Sequence, residues 1–212
     1  REYVTIMESH SSKNKKILEK VKNKEFEKGN TLKLKLKAFE ISKKTRLDKL
    51  MSYPLIKDNL EYLPHQQEGA IRILRDMDCR ALLADEVGLG KTIEAGLVLS
   101  QKWAERKRNI LLIVPASLRK QWNEELQEKF FLPSIIIETK SFNQIIKDGN
   151  LNPFHQEDAI VICSYHFAKA KSPYIKQTTF DIVVVDEAHR LRNVYKSSNK
   201  IAREIKDAIQ EY

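Results

Sequence analysis

From Pro64 onward, short apolar runs alternate with longer amphipathic segments, and this alternation restricts the fold more than any other feature of the chain. The runs are Ala81-Leu82-Leu83-Ala84, Ile110 to Val114, Ile135 to Ile137, Ala159 to Cys163 and Ile182 to Val185. Several are apolar at consecutive positions, as strands covered on both faces are. The segments between them read as helices: Gln66 to Arg75, Thr92 to Arg106, Leu118 to Lys129, Phe142 to Lys147 and Lys196 to Tyr212. In the last, Ile201, Ala202, Ile205, Ala208 and Ile209 recur three and four residues apart. Such an order predicts right-handed crossovers onto a mainly parallel sheet flanked by helices, an α/β fold.

With 212 residues, the chain is long enough for one such domain and an appendage. Charge separates the two. Residues 1–60 carry 16 Lys and Arg against 8 Asp and Glu, whereas the rest carries 22 against 21. The expected division is a basic, mostly helical N-terminal extension over 1–58 and the main domain over 59–212. Within the extension, Ser11 to Lys28 fits a solvated helix, and TLKLKLKAFEIS fits helix or strand, with helix favoured. Pro54 and Pro64 bracket a stretch read as irregular. The Lys-rich extension reads first as a solvated face and second as a source of phosphate contacts.

No run approaches eighteen apolar residues, and REYVTIMESH lacks the basic-then-apolar pattern of a secretory signal, so a membrane span is not expected and the reading is intracellular. The two cysteines, Cys79 and Cys163, suggest neither a disulfide framework nor a metal site.

The chemistry concentrates in two strings. ALLADEVGLGKTIEAGLVL sets Gly88, Gly90, Lys91 and Thr92 between an apolar run and a helix, the setting of a phosphate-binding P-loop. Glycines let backbone approach phosphate closely, and the amides that open a helix are unpaired donors at a positive dipole end. Lys91 suits the β and γ phosphates of ATP, and the Thr92 hydroxyl suits magnesium. The second string, IVVVDEAH, puts Asp186 and Glu187 directly after an apolar strand. A carboxylate there suits a magnesium ion, and its neighbour suits a general base acting on water; the roles follow as Asp186 for metal and Glu187 for base. Alone, a DEAH string could open an ordinary helix.

Where the general P-loop has glycine, five residues before Gly90, this chain has Asp85. DEVGLGKT resembles the loop of Swi/Snf-type helicase-like ATPases, in which an Asp-Glu pair precedes Gly-Leu-Gly-Lys-Thr. The resemblance implies a RecA-like lobe with Asp85, Glu86, Val87, Gly88, Leu89, Gly90, Lys91 and Thr92 around the nucleotide. DEAHRLRN looks like the Swi/Snf form of the acidic motif, with His189 coupling nucleotide state to the rest of the motor; packing at the strand end is the alternative for His189. LPHQQEGAIRIL resembles the family's adenine-recognition motif, with Gln66 as its glutamine and Gln67 as the adjacent alternative. A glutamine amide offers the donor and acceptor an adenine edge needs.

ILLIVPASLRKQWNEEL resembles a motif near the nucleic-acid backbone, which implicates Ser117, Arg119 and Lys120. Trp122 in the same string reads as core rather than as a base-stacking platform. VICSYHFAK resembles a later DNA-contacting motif, implicating Ser164 and Tyr165, for which a satisfied turn is the alternative. The resemblance runs from Tyr62 to Asn193 and is closest to the bacterial branch that includes RNA-polymerase-associated and defence-associated ATPases. It implies an ATP- and Mg2+-dependent motor on double-stranded DNA, with a protein partner such as RNA polymerase or a defence complex, in a bacterial cytoplasm. Family members continue into a second lobe, so the 212 residues alone are expected to turn over little ATP. Two rivals remain: a DEAH-type RNA or DNA helicase, and a non-catalytic ATP-binding interaction module. The Asp-Glu before Gly-Leu-Gly speaks against the first, and the intact Lys91, Thr92, Asp186 and Glu187 speak against the second.

Overall fold

The computed structural model describes residues 23, 33–38, 47–60, 63–77, 81–84, 90–192 and 199–209. The chain divides into two units, 1–46 and 47–212. In the first, residues 33–38 are helical with Leu34 and Leu36 exposed, the helical alternative for TLKLKLKAFEIS. Apart from residue 23, the expected helix from Ser11 to Lys28 lies outside the described residues.

The second unit is built on four parallel strands: β1 (Ile110–Val114), β2 (Ser134–Ile136), β3 (Ile160–Ser164) and β4 (Ile182–Val185). Their spatial order is β2-β3-β1-β4, with Leu112 in register with Ile162 on one side and Val184 on the other. Parallel pairing requires a crossover between successive strands, and the amphipathic segments supply it. The described helices are α1 (Tyr53–Ile56), α2 (Pro64–Asp76), α3 (Lys91–Ala104), α4 (Arg119–Phe130), α5 (Thr139–Lys147), α6 (Tyr165–Ala170), α7 (Ser172–Lys176) and α8 (Lys200–Ile209).

Alternate residues of β1 and β3 feed two separate cores, because side chains along a strand point to opposite faces. On one face Ile110, Leu112, Val114, Ile160 and Ile162 pack with Leu97 and Leu99 of α3 and with Trp122, Leu126 and Phe130 of α4. On the other, Leu111, Ile113, Val161 and Cys163 pack with Phe142, Phe154, Phe167, Ile205 and Ala208. The result is a three-layer sandwich in which both faces of β1 are dry, which accounts for its unbroken apolar run.

Two expectations differ from the structure. Residues 81–84 form no strand, and Leu82 is 77% exposed. A four-residue apolar run becomes a strand only where a neighbouring edge accepts its hydrogen bonds, and residues 81–84 pair with none of the four strands. The stretch between Pro54 and Pro64, read as irregular, begins with α1 and a 3-10 turn at Lys57–Asn59. Proline is compatible with a first helical turn because its missing N–H would have no partner there. Leu50 and Ile56, inside the span that charge assigns to the extension, are buried in the α3 core. Gln101 of α3 fastens this lead-in, its Oε1 accepting from the Met51 amide at 2.7 Å and the Ser52 amide at 3.5 Å.

Candidate nucleotide site at the carboxyl edge of the sheet

Because all four strands are parallel, whatever follows β1, β3 and β4 emerges at one edge, the edge where open α/β sheets bind ligands. Ser117, Ser164, Tyr165, Asp186 and Glu187 therefore share it. The connection of α3 to β1 directs the start of α3 towards the same edge. Its far end leads through residues 105–109 into β1, and that turn is tied to the opposite edge: Asp181, just before β4, accepts from the amides of Arg108 at 3.0 Å and Asn109 at 3.2 Å. Running back from there, a helix of 14 residues spans about 21 Å against about 16 Å for a five-residue strand. These lengths direct the start of α3, with Lys91 and Thr92, towards the carboxyl edge.

Gly90 opens α3 with φ +85°, a left-handed conformation that glycine adopts without strain. A β carbon there would collide with the side-chain amide nitrogen of Gln66, so α2 delivers Gln66 directly against the end of the loop. Gln66 is buried at 4% exposure. The neighbouring Gln67 lines a small cleft with Tyr53, Leu60, Leu63, Gln66, Ile93 and Leu97. Its Nε2 is buried with no hydrogen-bond partner. Residues 85–89, which carry Asp85, Glu86, Val87, Gly88 and Leu89, lie outside the described residues.

The acid turn after β4 is held from three sides. Asp186 Oδ1 accepts from the Glu187 amide at 2.8 Å, and Oδ2 accepts from the Trp122 indole at 2.8 Å. Tyr165 donates its hydroxyl to the Asp186 carbonyl and, at 3.2 Å, to the Glu187 carbonyl. These bonds hold Glu187 in the left-handed region at φ +54°, an uncommon conformation for a residue with a side chain. The exposed Glu187 carboxylate meets His189 Nδ1 at 2.9 Å. Burial pushes the Tyr165 phenol up to about 12, and the nearby Asp186 carboxylate pushes the same way, with Arg190 opposing.

The remaining sequence candidates separate by exposure. Ser117 and Lys120 are exposed, while Arg119 is pinned by bonds to the Ala116 carbonyl at 3.1 Å and Glu138 at 3.2 Å. Ser164 and Tyr165 are buried and occupied: Ser164 caps α6 by accepting from the Phe167 amide at 3.2 Å, and Tyr165 serves the acid turn. Sequence reasoning missed the Trp122–Asp186 bond, which joins residues 64 apart and leaves no local signal. It also missed Glu94, buried at 5% inside α3, whose Oε1 lies 2.9 Å from where a β carbon on Gly69 would stand. A glycine facing this position from α2 was the readable trace of that close approach.

The geometry fits a magnesium nucleotide. Magnesium takes one or two protein oxygens and completes its shell with phosphate and water. Each Asp186 oxygen accepts one hydrogen bond and so retains a further lone pair. Among the described residues, no cluster of three His, Cys, Asp or Glu forms a cage made of protein ligands alone. No helix among them is long and apolar enough to cross a membrane.

Comparison with known proteins places the chain in a family. An ATP-dependent helicase of uncharacterised role from Bacillus subtilis, YqhH, is 37% identical over 163 residues, covering 75% of this chain and 26% of its own. The RNA polymerase-associated protein RapA of Proteus mirabilis is 39% identical over 133 residues, covering 61% of this chain and 14% of its own. The chain thus spans about a quarter or less of these relatives. Among solved structures, the Sulfolobus solfataricus SWI2/SNF2 ATPase core in complex with dsDNA superposes with a TM-score of 0.57 at 25% identity, over 70% of this chain and 30% of that one. The SNF2-related domain family matches residues 57–209, from the 3-10 turn before α2 to the end of α8, and the chain belongs to that family.

Proposed function

We propose that this chain is the ATP-binding lobe of a DNA-dependent ATPase and translocase that remodels protein–nucleic-acid complexes. What supports the reading is the direction of α3, whose start carries Lys91 and Thr92, towards the strand ends where Asp186 and Glu187 follow β4. In this reading Lys91 and the amides opening α3 bind the β and γ phosphates, with residues 85–89 completing the cradle. Thr92 and Asp186 hold magnesium, which supplies neutralisation of phosphate charge. Gln66, and the cleft beside it, takes the adenine. Glu187 orients water and accepts its proton, and His189, in contact with the Glu187 carboxylate, reports the state of that carboxylate to the rest of the motor.

Duplex DNA as the track follows from the likeness to a SWI2/SNF2 core bound to dsDNA, and RNA polymerase is one candidate protein partner given the name of RapA. The exposed Ser117 and Lys120 are the candidate backbone contacts at this edge. Movement along intact duplex is expected, in a bacterial cytoplasm, with a second lobe needed for turnover.

The test is titration of the chain with a fluorescent ATP analogue in the presence of magnesium. Lys91→Ala should weaken binding by about ten- to a hundredfold, the value of a charge-assisted hydrogen bond to phosphate. Equal binding by the wild type and Lys91→Ala would overturn the nucleotide reading. Efficient strand displacement by a longer protein containing both lobes would instead favour a true helicase.

A further inference from the structure

We propose that Trp122 is a positioning residue that fixes the Asp186 carboxylate for its divalent cation; the inference rests on the nucleotide-site reading above. Trp122 lies on α4, 5% exposed, packed in the core between α3, α4 and the sheet. An indole nitrogen only donates, and a buried one needs an acceptor. It finds Asp186 Oδ2 at 2.8 Å, while the ring packs in the apolar core. The opposite oxygen, Oδ1, is fixed at 2.8 Å by the Glu187 amide. Rotation of the carboxylate about its last bond would break both contacts, so one plane of the group is selected. A carboxylate prepared in this way presents its remaining lone pairs without first having to be ordered, which is how outer partners raise the affinity of metal ligands.

The bland reading is that Asp186 merely satisfies a core tryptophan. The two differ in what loss of the indole N–H should change. If the bond serves only the core, Trp122→Phe should alter stability and leave cation affinity alone. If it positions the ligand, cation affinity should fall while nucleotide binding without metal stays constant.

The experiment measures a fluorescent ATP analogue bound to the chain as magnesium is titrated, with a parallel measurement in chelator. Trp122→Phe should raise the half-saturating magnesium concentration by about 10- to 100-fold, leave binding in chelator unchanged, and add nothing in an Asp186→Ala background. A magnesium curve that superposes on the wild type overturns the proposal. A wild type indifferent both to magnesium and to Lys91→Ala removes the nucleotide reading itself, and this inference with it. Should Trp122→Phe fail to fold, the Trp103→Phe protein leaves Trp122 as the single indole, since the chain has two tryptophans. Its emission should then change when magnesium and the analogue are added together and stay constant in an added Asp186→Asn background; an emission that ignores magnesium overturns the proposal.

Discussion

The side-chain amide of Gln66 occupies the space that a β carbon on Gly90 would need. Two constraints therefore act at position 90: a left-handed backbone at φ +85° and a neighbour already in place. Gly90→Ala should add about 1–2 kcal/mol of backbone strain and displace Gln66 from its buried seat. Nucleotide affinity should drop at least as far as for Lys91→Ala. Adding Gln66→Ala should relieve the collision and raise the melting temperature of Gly90→Ala, without restoring affinity. An analogue titration with thermal melts checks both; unchanged affinity in Gly90→Ala would show that this end of the loop does not shape the site.

A second close approach holds the helical layer together. A β carbon on Gly96 of α3 would run into the ring of Phe130, the last residue of α4, which is 3% exposed. Gly96→Ala gains about 1 kcal/mol of helix propensity, but overpacking a filled core costs about 1–3 kcal/mol. The net expectation is destabilisation in urea unfolding, with partial recovery when Phe130→Leu is added. A stabilised Gly96→Ala would mean that Phe130 moves aside freely.

Much of this was legible in the sequence because periodicity is a direct consequence of burial. β1 is apolar at five consecutive positions and dry on both faces, and α8 buries Ala202, Ile205 and Ala208 at the spacing that marked it as a helix. The run at residues 81–84 is also apolar yet forms no strand, since apolar character reports a preference for burial and pairing needs a neighbour as well. In the site, the motif residues next to strand ends were readable because a parallel sheet sends every strand end to one edge. The Trp122–Asp186 bond was not, because a contact between residues 64 apart exists only once α4 has packed on the sheet and β4 has joined it.

Cys163 lies on β3 with no exposure, and burial pushes its thiol up to about 12. A thiol held neutral and covered is a poor nucleophile. In a Cys79→Ser background, a thiol-reactive chromogenic disulfide should leave the native chain unlabelled and label one site on unfolding in guanidinium. Rapid native labelling would show that β3 opens locally.

Tyr165 makes the acid turn sensitive to alkali. Its neutral hydroxyl donates to the carbonyls of Asp186 and Glu187; once ionised, it would turn a negative oxygen towards the same two acceptors. Burial first, and the Asp186 carboxylate second, raise it from the ordinary tyrosine value to about 12. The folded value lies above the unfolded one of about 10, so the unfolded state loses its proton first. The contribution to stability is complete below pH 10 and is lost as pH rises from about 10 to 12. Of the seven tyrosines, Tyr165 should therefore ionise late in a titration followed by tyrosinate absorbance, and Tyr165→Phe should delete the step near pH 12 while leaving the rest unchanged. The same substitution should cost about 0.5–1.5 kcal/mol at neutral pH for the lost hydrogen bond, read from urea unfolding. If Tyr165→Phe instead removed amplitude near pH 10, the phenol would be solvated in solution, and the hydroxyl could not be holding Glu187 in its left-handed conformation.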